Sequence, residues 1–61
     1  MPEVVVYLIE GRAKEVKKAL MKDITDAVVR HCNVNPEVVI VQIVESSKDN
    51  KSKGGIPFAE R

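Results

Sequence analysis

Hydrophobic and polar positions follow three different rhythms along this chain. From Glu3 to Ile9 the sequence reads Glu-Val-Val-Val-Tyr-Leu-Ile, a β-branched run that breaks at Glu10-Gly11. Side chains alternate across a strand, so Val4, Val6 and Leu8 face one way and Val5, Tyr7 and Ile9 the other. Both faces of this strand are apolar. From Ala13 to Cys32 the spacing changes to threes and fours: Val16, Ala19, Leu20, Ile24, Ala27, Val28 and His31 form one stripe of an amphipathic helix. Lys14, Lys17, Lys18, Lys22, Asp26 and Arg30 form its solvated side, and Asn33 is suited to a left-handed stop.

Asn35-Pro36-Glu37 reads as a capped single turn, with proline at the first helical position. The run Val38 to Val44 then predicts a second strand, again apolar on both faces. Strand, helix, strand implies a right-handed crossover and a parallel pair. Beyond Glu45 the chain is a polar loop closed by Gly54-Gly55, which permit a tight turn or hairpin. The expected fold is therefore α/β: a single domain over residues 1–61, one β-α-β unit with parallel strands plus a short C-terminal hairpin.

One helix covers one face of a two-stranded sheet, so the second apolar face calls for another subunit. Chain length points the same way. A protein of 61 residues buries only about 60% of the surface of its unfolded form. Disulfides, a metal or oligomerisation normally offset so thin a core. The single Cys32 makes no internal disulfide, and Cys32 with His31 falls short of the usual four-ligand structural zinc site. Oligomerisation by sheet pairing remains, and the apolar tail Ile56-Pro57-Phe58 is expected to dock on a neighbouring subunit. Cys32 itself is expected to be a small buried hydrophobe. His31 suits a structural place at the helix carbonyl end.

A formal charge of +1 lacks the basic excess of a nucleic-acid-binding protein. No stretch approaches the roughly 20 apolar residues of a membrane span. The start of the chain lacks the basic and long apolar regions of a signal peptide. The expectation is a cytoplasmic protein with no nucleic-acid or membrane partner.

Pro2 carries the chemistry of most interest. Inside a chain its nitrogen is an amide, but removal of Met1 leaves a secondary amine held rigid by its ring. Such an amine is a general base if its surroundings lower its basicity, by burial or by nearby cations. Arg12, at the far end of the first strand, is a candidate cation, although the strand's length separates it from Pro2 within one chain.

Met-Pro-Glu-Val-Val-Val-Tyr-Leu-Ile-Glu-Gly-Arg, followed by a lysine-rich helix, Asn-Pro-Glu-Val, a β-branched strand ending in Glu45, and Gly-Gly, resembles the 4-oxalocrotonate tautomerase family over essentially the whole chain. The resemblance implies a β-α-β unit paired into a four-stranded sheet, with three such dimers in a hexamer. It also implies a cofactor-independent and metal-independent isomerase for small anionic enol or keto acids such as 2-hydroxymuconate. Pro2 would shuttle a proton between the oxygen end of a dienol and a carbon, while Arg12 holds a carboxylate. Arginine suits this task because its planar fork pairs with a carboxylate through two parallel hydrogen bonds.

Two positions depart from the family pattern. Its second strand supplies a further arginine where this chain has Ile40, and its loop offers an aromatic wall where this chain has Lys51. The substrate is then a monoacid, or Lys48, Lys51 or Lys53 supplies the missing charge, or a different subunit carries the arginine in a hetero-oligomer. Phe58 is the candidate replacement for the aromatic wall. Asp49 opens a hydratase or dehalogenase alternative, in which an acid activates water beside the proline. A non-catalytic, partner-dependent subunit is the third reading.

Overall fold

A computed structural model describes residues 1–61. Strand β1 (Glu3–Ile9), helix α1 (Lys14–Cys32) and strand β2 (Ile40–Ser46) form the expected unit. The strands pair in parallel, Glu3 beside Ile40 through Ile9 beside Ser46. Backbone bonds Ile40 N–H to Pro2 O (3.0 Å) and Glu10 N–H to Ser46 O (2.9 Å) carry the pairing past both ends.

Helix α1 begins after Ala13 without a side-chain cap and stops at Asn33, whose φ of 55° is left-handed and whose N–H donates to Val29 O. Asparagine tolerates this conformation, whereas an alanine is disfavoured by about 1–2 kcal/mol. Asn33→Ala is therefore expected to lower unfolding stability by about 1 kcal/mol, and Asn33→Gly to leave it near wild type. Urea midpoints compared at equal assembly state check both.

Strand β2 starts two residues later than the hydrophobic run suggested. Asn35 Oδ1 accepts from the Glu37 N–H at 2.9 Å, closing a 3-10 turn over Pro36–Val38. That turn takes Val38, and Val39 N–H bonds back to Pro36 O at 3.1 Å.

The helix packs on the face bearing Val4, Val6 and Leu8 of β1 and Val41 and Ile43 of β2, all half-buried. Lys17 Nζ reaches Glu45 Oε1 at 2.9 Å and so fixes the helix over the end of β2. On the opposite face Val5 is 42% exposed, Tyr7 68% and Ile40 42%. The apolar stripe of the helix is also wider than two strands can cover, because Val16 stays 53% exposed. Cys32 is exposed rather than buried. It is the last residue of α1, between His31 and Asn33, which are also exposed, so the expectation of a buried hydrophobe is corrected.

After β2, Ser47 Oγ accepts from the Asp49 N–H at 3.1 Å and starts a 3-10 turn over Lys48–Asn50. Strands β3 (Ser52–Lys53) and β4 (Ile56–Pro57) then pair antiparallel. Gly54 and Gly55 join them with φ of 62° and 82°, the two positive values that a type I′ hairpin turn requires. A last 3-10 turn, Phe58–Glu60, ends the chain.

This hairpin stands away from the β-α-β unit as an arm. The longest dimension is 43 Å, well beyond the roughly 28 Å of a 19-residue helix. The radius of gyration is 14.6 Å, against about 10.5 Å for a compact chain of this length. Accessible surface is 4773 Å², against about 4,000 Å² for a compact protein of this mass. No residue is fully buried. A chain with this shape lacks a closed core of its own and leaves apolar rows open on its surface.

Candidate active site

Pro2 stands at the head of β1, half-buried, with its carbonyl fixed by the Ile40 N–H. Met1 before it is 85% exposed. Glu3 and Ile40 are neighbours in register at this end of the sheet and share the open face. Helices and strands run in opposite directions in a β-α-β unit, so the last turn of α1, with Arg30 and His31 exposed, lies at this end in the helix layer.

Arg12 stands at the other end. Its Nη1 donates to Ile9 O at 3.0 Å, which folds the side chain back on the end of β1 and leaves the rest of the guanidinium in solvent. The seven residues of β1, at about 3.3 Å each, put more than ~20 Å between Pro2 and Arg12. One chain does not bring them together.

Lys51 and Phe58, which sequence spacing alone could not relate, are brought together. The Phe58 N–H donates to Lys51 O at 2.8 Å, one step beyond the Ser52–Pro57 pair. They are cross-strand neighbours on the arm.

The main surface depression involves none of the four residues singled out above. It measures about 380 Å³ and is lined by Lys14, Lys17, Lys18, Met21, Ile43 and Glu45. It lies over the end of β2 beside the start of α1, at the same end of the sheet as Arg12. Glu45 neutralises Lys17 there, leaving Lys14 and Lys18 without a carboxylate within ion-pair distance. Sequence reasoning put Lys17 on the solvated helix side and missed this pair. The signal was present: Glu45 continues the inward row of Val41 and Ile43, and a carboxylate in that row needs a cation from the helix. Elsewhere on α1, the hydrogen bond from Lys22 to Asp26 and the charge of that carboxylate hold the Lys22 ammonium above the usual lysine range.

The sequence profile of the tautomerase enzymes matches residues 2–61. The chain belongs to the tautomerase family. A probable tautomerase of Bradyrhizobium diazoefficiens is 44% identical over 61 residues, which are all of this chain and 91% of that one. The crystal structure of YwhB, a homologue of 4-oxalocrotonate tautomerase, superposes with a TM-score of 0.92 at 32% identity, over 98% of each chain. A heterohexameric 4-oxalocrotonate tautomerase from Chloroflexus aurantiacus superposes at 0.91 with 28% identity, over 98% of this chain and 97% of that one. The two solved structures superpose on essentially the whole of this chain, so the resemblance drawn from its residues holds along its full length. The helix is also not apolar enough to cross a membrane.

Proposed function

We propose that this tautomerase isomerises small enol or keto acids of the 2-hydroxymuconate kind, with Pro2 as general base once Met1 is removed and Arg12 as the carboxylate anchor. Neutral Pro2 nitrogen takes the enol hydroxyl proton, becomes an ammonium, and returns the proton to a carbon of the conjugated chain. A carbonyl forms, and no atom is gained or lost. The chain's own groups suffice for this transfer, without a cofactor.

The observation that carries this reading is the placing of Pro2. Its carbonyl is bonded into the sheet while the residue before it is open to solvent. Removing Met1 would therefore free an amine on a fixed support without disturbing a single ladder bond. Partial burial of Pro2 acts against its charged form.

Arg12 lies at the opposite end of β1, so the site requires a second chain. An antiparallel copy, its sheet edge against this one, sets its own Arg12 near this Pro2. The same pairing covers exposed apolar surface. We therefore place the chain in a homo-oligomer, a trimer of sheet-paired dimers, in the cytosol. A hetero-oligomer is the alternative, favoured by Ile40 standing where the family pattern has an arginine.

The test is ketonisation of 2-hydroxymuconate by the purified assembly, followed by ultraviolet absorbance with the product identified by mass and NMR. An isomer of unchanged mass is expected. A product heavier by one water would replace this reading with a hydratase, and inactivity relieved only by a second, different subunit would replace it with the partner-dependent one.

A further inference from the structure

The open face of the sheet carries one charged side chain. Residues two apart on a strand point the same way, so Glu3 with Ile40, Val5 with Gln42 and Tyr7 with Val44 are successive rows of that face. Glu3 is its carboxylate, in the row next to Pro2, and every later row is apolar or neutral. Glu3 is exposed and has no cation within ion-pair distance, while Ile40 beside it is 42% exposed.

No cation of the same chain shares this face. Arg30 and His31 lie at the Pro2 end but in the helix layer, across the sheet. Arg12 is at the far end of β1, with Nη1 on Ile9 O. The first row is also fixed in place. The Ile40 N–H donates to Pro2 O at 3.0 Å, and neighbouring Cα atoms in a chain are about 3.8 Å apart. A free carboxylate and a branched alkyl group therefore stand within one residue or one strand spacing of Pro2.

We propose that Glu3 and Ile40 form a selective wall beside Pro2 that favours monoacids: conjugated enol acids with a carboxylate at one end and hydrogen or a small alkyl group at the other. The proposal deepens the tautomerase reading and rests on it for the places of Pro2 and of the Arg12 supplied by a second copy. With its carboxylate on that Arg12, a substrate runs past Pro2 and brings its far end to Glu3 and Ile40. An alkyl end packs on Ile40. A second carboxylate meets a like charge there and loses water against an alkyl surface. A diacid such as 2-hydroxymuconate is still a substrate, bound less well.

The decisive measurement is binding of two unreactive ligands to the intact assembly by titration calorimetry: sorbate and trans,trans-muconate. Both have the same six-carbon diene skeleton, and they differ in whether the far end is a methyl group or a carboxylate. Wild type is expected to bind sorbate about five-fold more tightly, the weight of two like charges about 4 Å apart in water. Glu3→Gln keeps the shape and removes the charge, so it is expected to tighten muconate to near the sorbate value and leave sorbate unchanged. Glu3→Lys is expected to reverse the preference, and Ile40→Ala to weaken sorbate more than muconate.

An unchanged ratio of the two affinities in Glu3→Gln overturns the proposal, including the case in which both ligands tighten together, which makes Glu3 a competitor for Arg12 instead. So does a wild type that prefers muconate, where a cation from another copy outweighs Glu3, or one that binds neither acid. The Glu3 side chain is exposed and unpaired, so its replacement leaves the fold intact; light scattering checks the assembly of each variant. Neither ligand has an enol, so the ratio is independent of proton transfer. Pro2→Ala is expected to keep it, and a failure of the Pro2 chemistry is thereby separated from a failure of this wall.

Discussion

Replacing Pro2 by alanine is expected to lower kcat for 2-hydroxymuconate by about 10²–10⁴-fold, the usual share of a positioned general base. Alanine after Met1 removal still offers an amine, but a primary one on a freely rotating bond. The ring no longer fixes the nitrogen, so both its basicity and its aim change. KM should stay within about three-fold, because the groups that hold the substrate are untouched. Assembly should also be unchanged, since the carbonyl of residue 2 still accepts from the Ile40 N–H. In wild type, kcat/KM should fall toward acid pH as the amine takes a proton, and in the residual activity of Pro2→Ala this acid limb should move to follow the primary amine that replaces it. Protein that retains Met1, identified by intact mass, should be as inactive as the variant, because its Pro2 nitrogen is an amide. Equal turnover by wild type and Pro2→Ala would remove the base from Pro2.

The strands, the helix and the hairpin were legible because each has a local cause. Alternation over Glu3–Ile9 shows as half-buried Val4, Val6 and Leu8 against exposed Val5 and Tyr7. Asn33 stops the helix in the left-handed conformation its side chain tolerates. Gly54-Gly55 turns the hairpin. What was misread lies at the ends of elements. Val38 belongs to the strand by composition but is captured by the turn that Asn35 and Pro36 build. Cys32 was read as a small buried hydrophobe from its residue type, yet at the very end of the helix it is exposed.

The candidate site residues could be named from the sequence, but their arrangement could not. Pro2 and Arg12 stand ten positions apart, and only the extended geometry of β1 shows that they lie at opposite ends. Lys51 and Phe58 stand seven positions apart, and only the hairpin register makes them neighbours. Sequence patterns report which face a residue takes, because that is periodic. They do not report which copy a residue serves, because that depends on surfaces meeting between chains.

Mixing two inactive variants should therefore restore activity. Pro2→Ala lacks the base and keeps Arg12. Arg12→Ala keeps the base and should lose about 10–100-fold in kcat/KM as the paired carboxylate contact goes. If each site takes Pro2 from one chain and Arg12 from its two-fold partner, a dimer of one variant with the other contains one intact site and one doubly damaged site. With random co-assembly half of the dimers are mixed, so about a quarter of all sites are intact and kcat per site approaches about a quarter of wild type. A site built within a single chain gives a different result, since every chain then carries one lesion and the mixture merely averages two impaired proteins. Co-expression of differently tagged variants, with purification through both tags, provides the mixed assemblies. The more than ~20 Å between Pro2 and Arg12 along β1 makes recovery the expected outcome, and a mixture no better than the mean of its parts would return Arg12 to the role of an ordinary residue at the end of a strand.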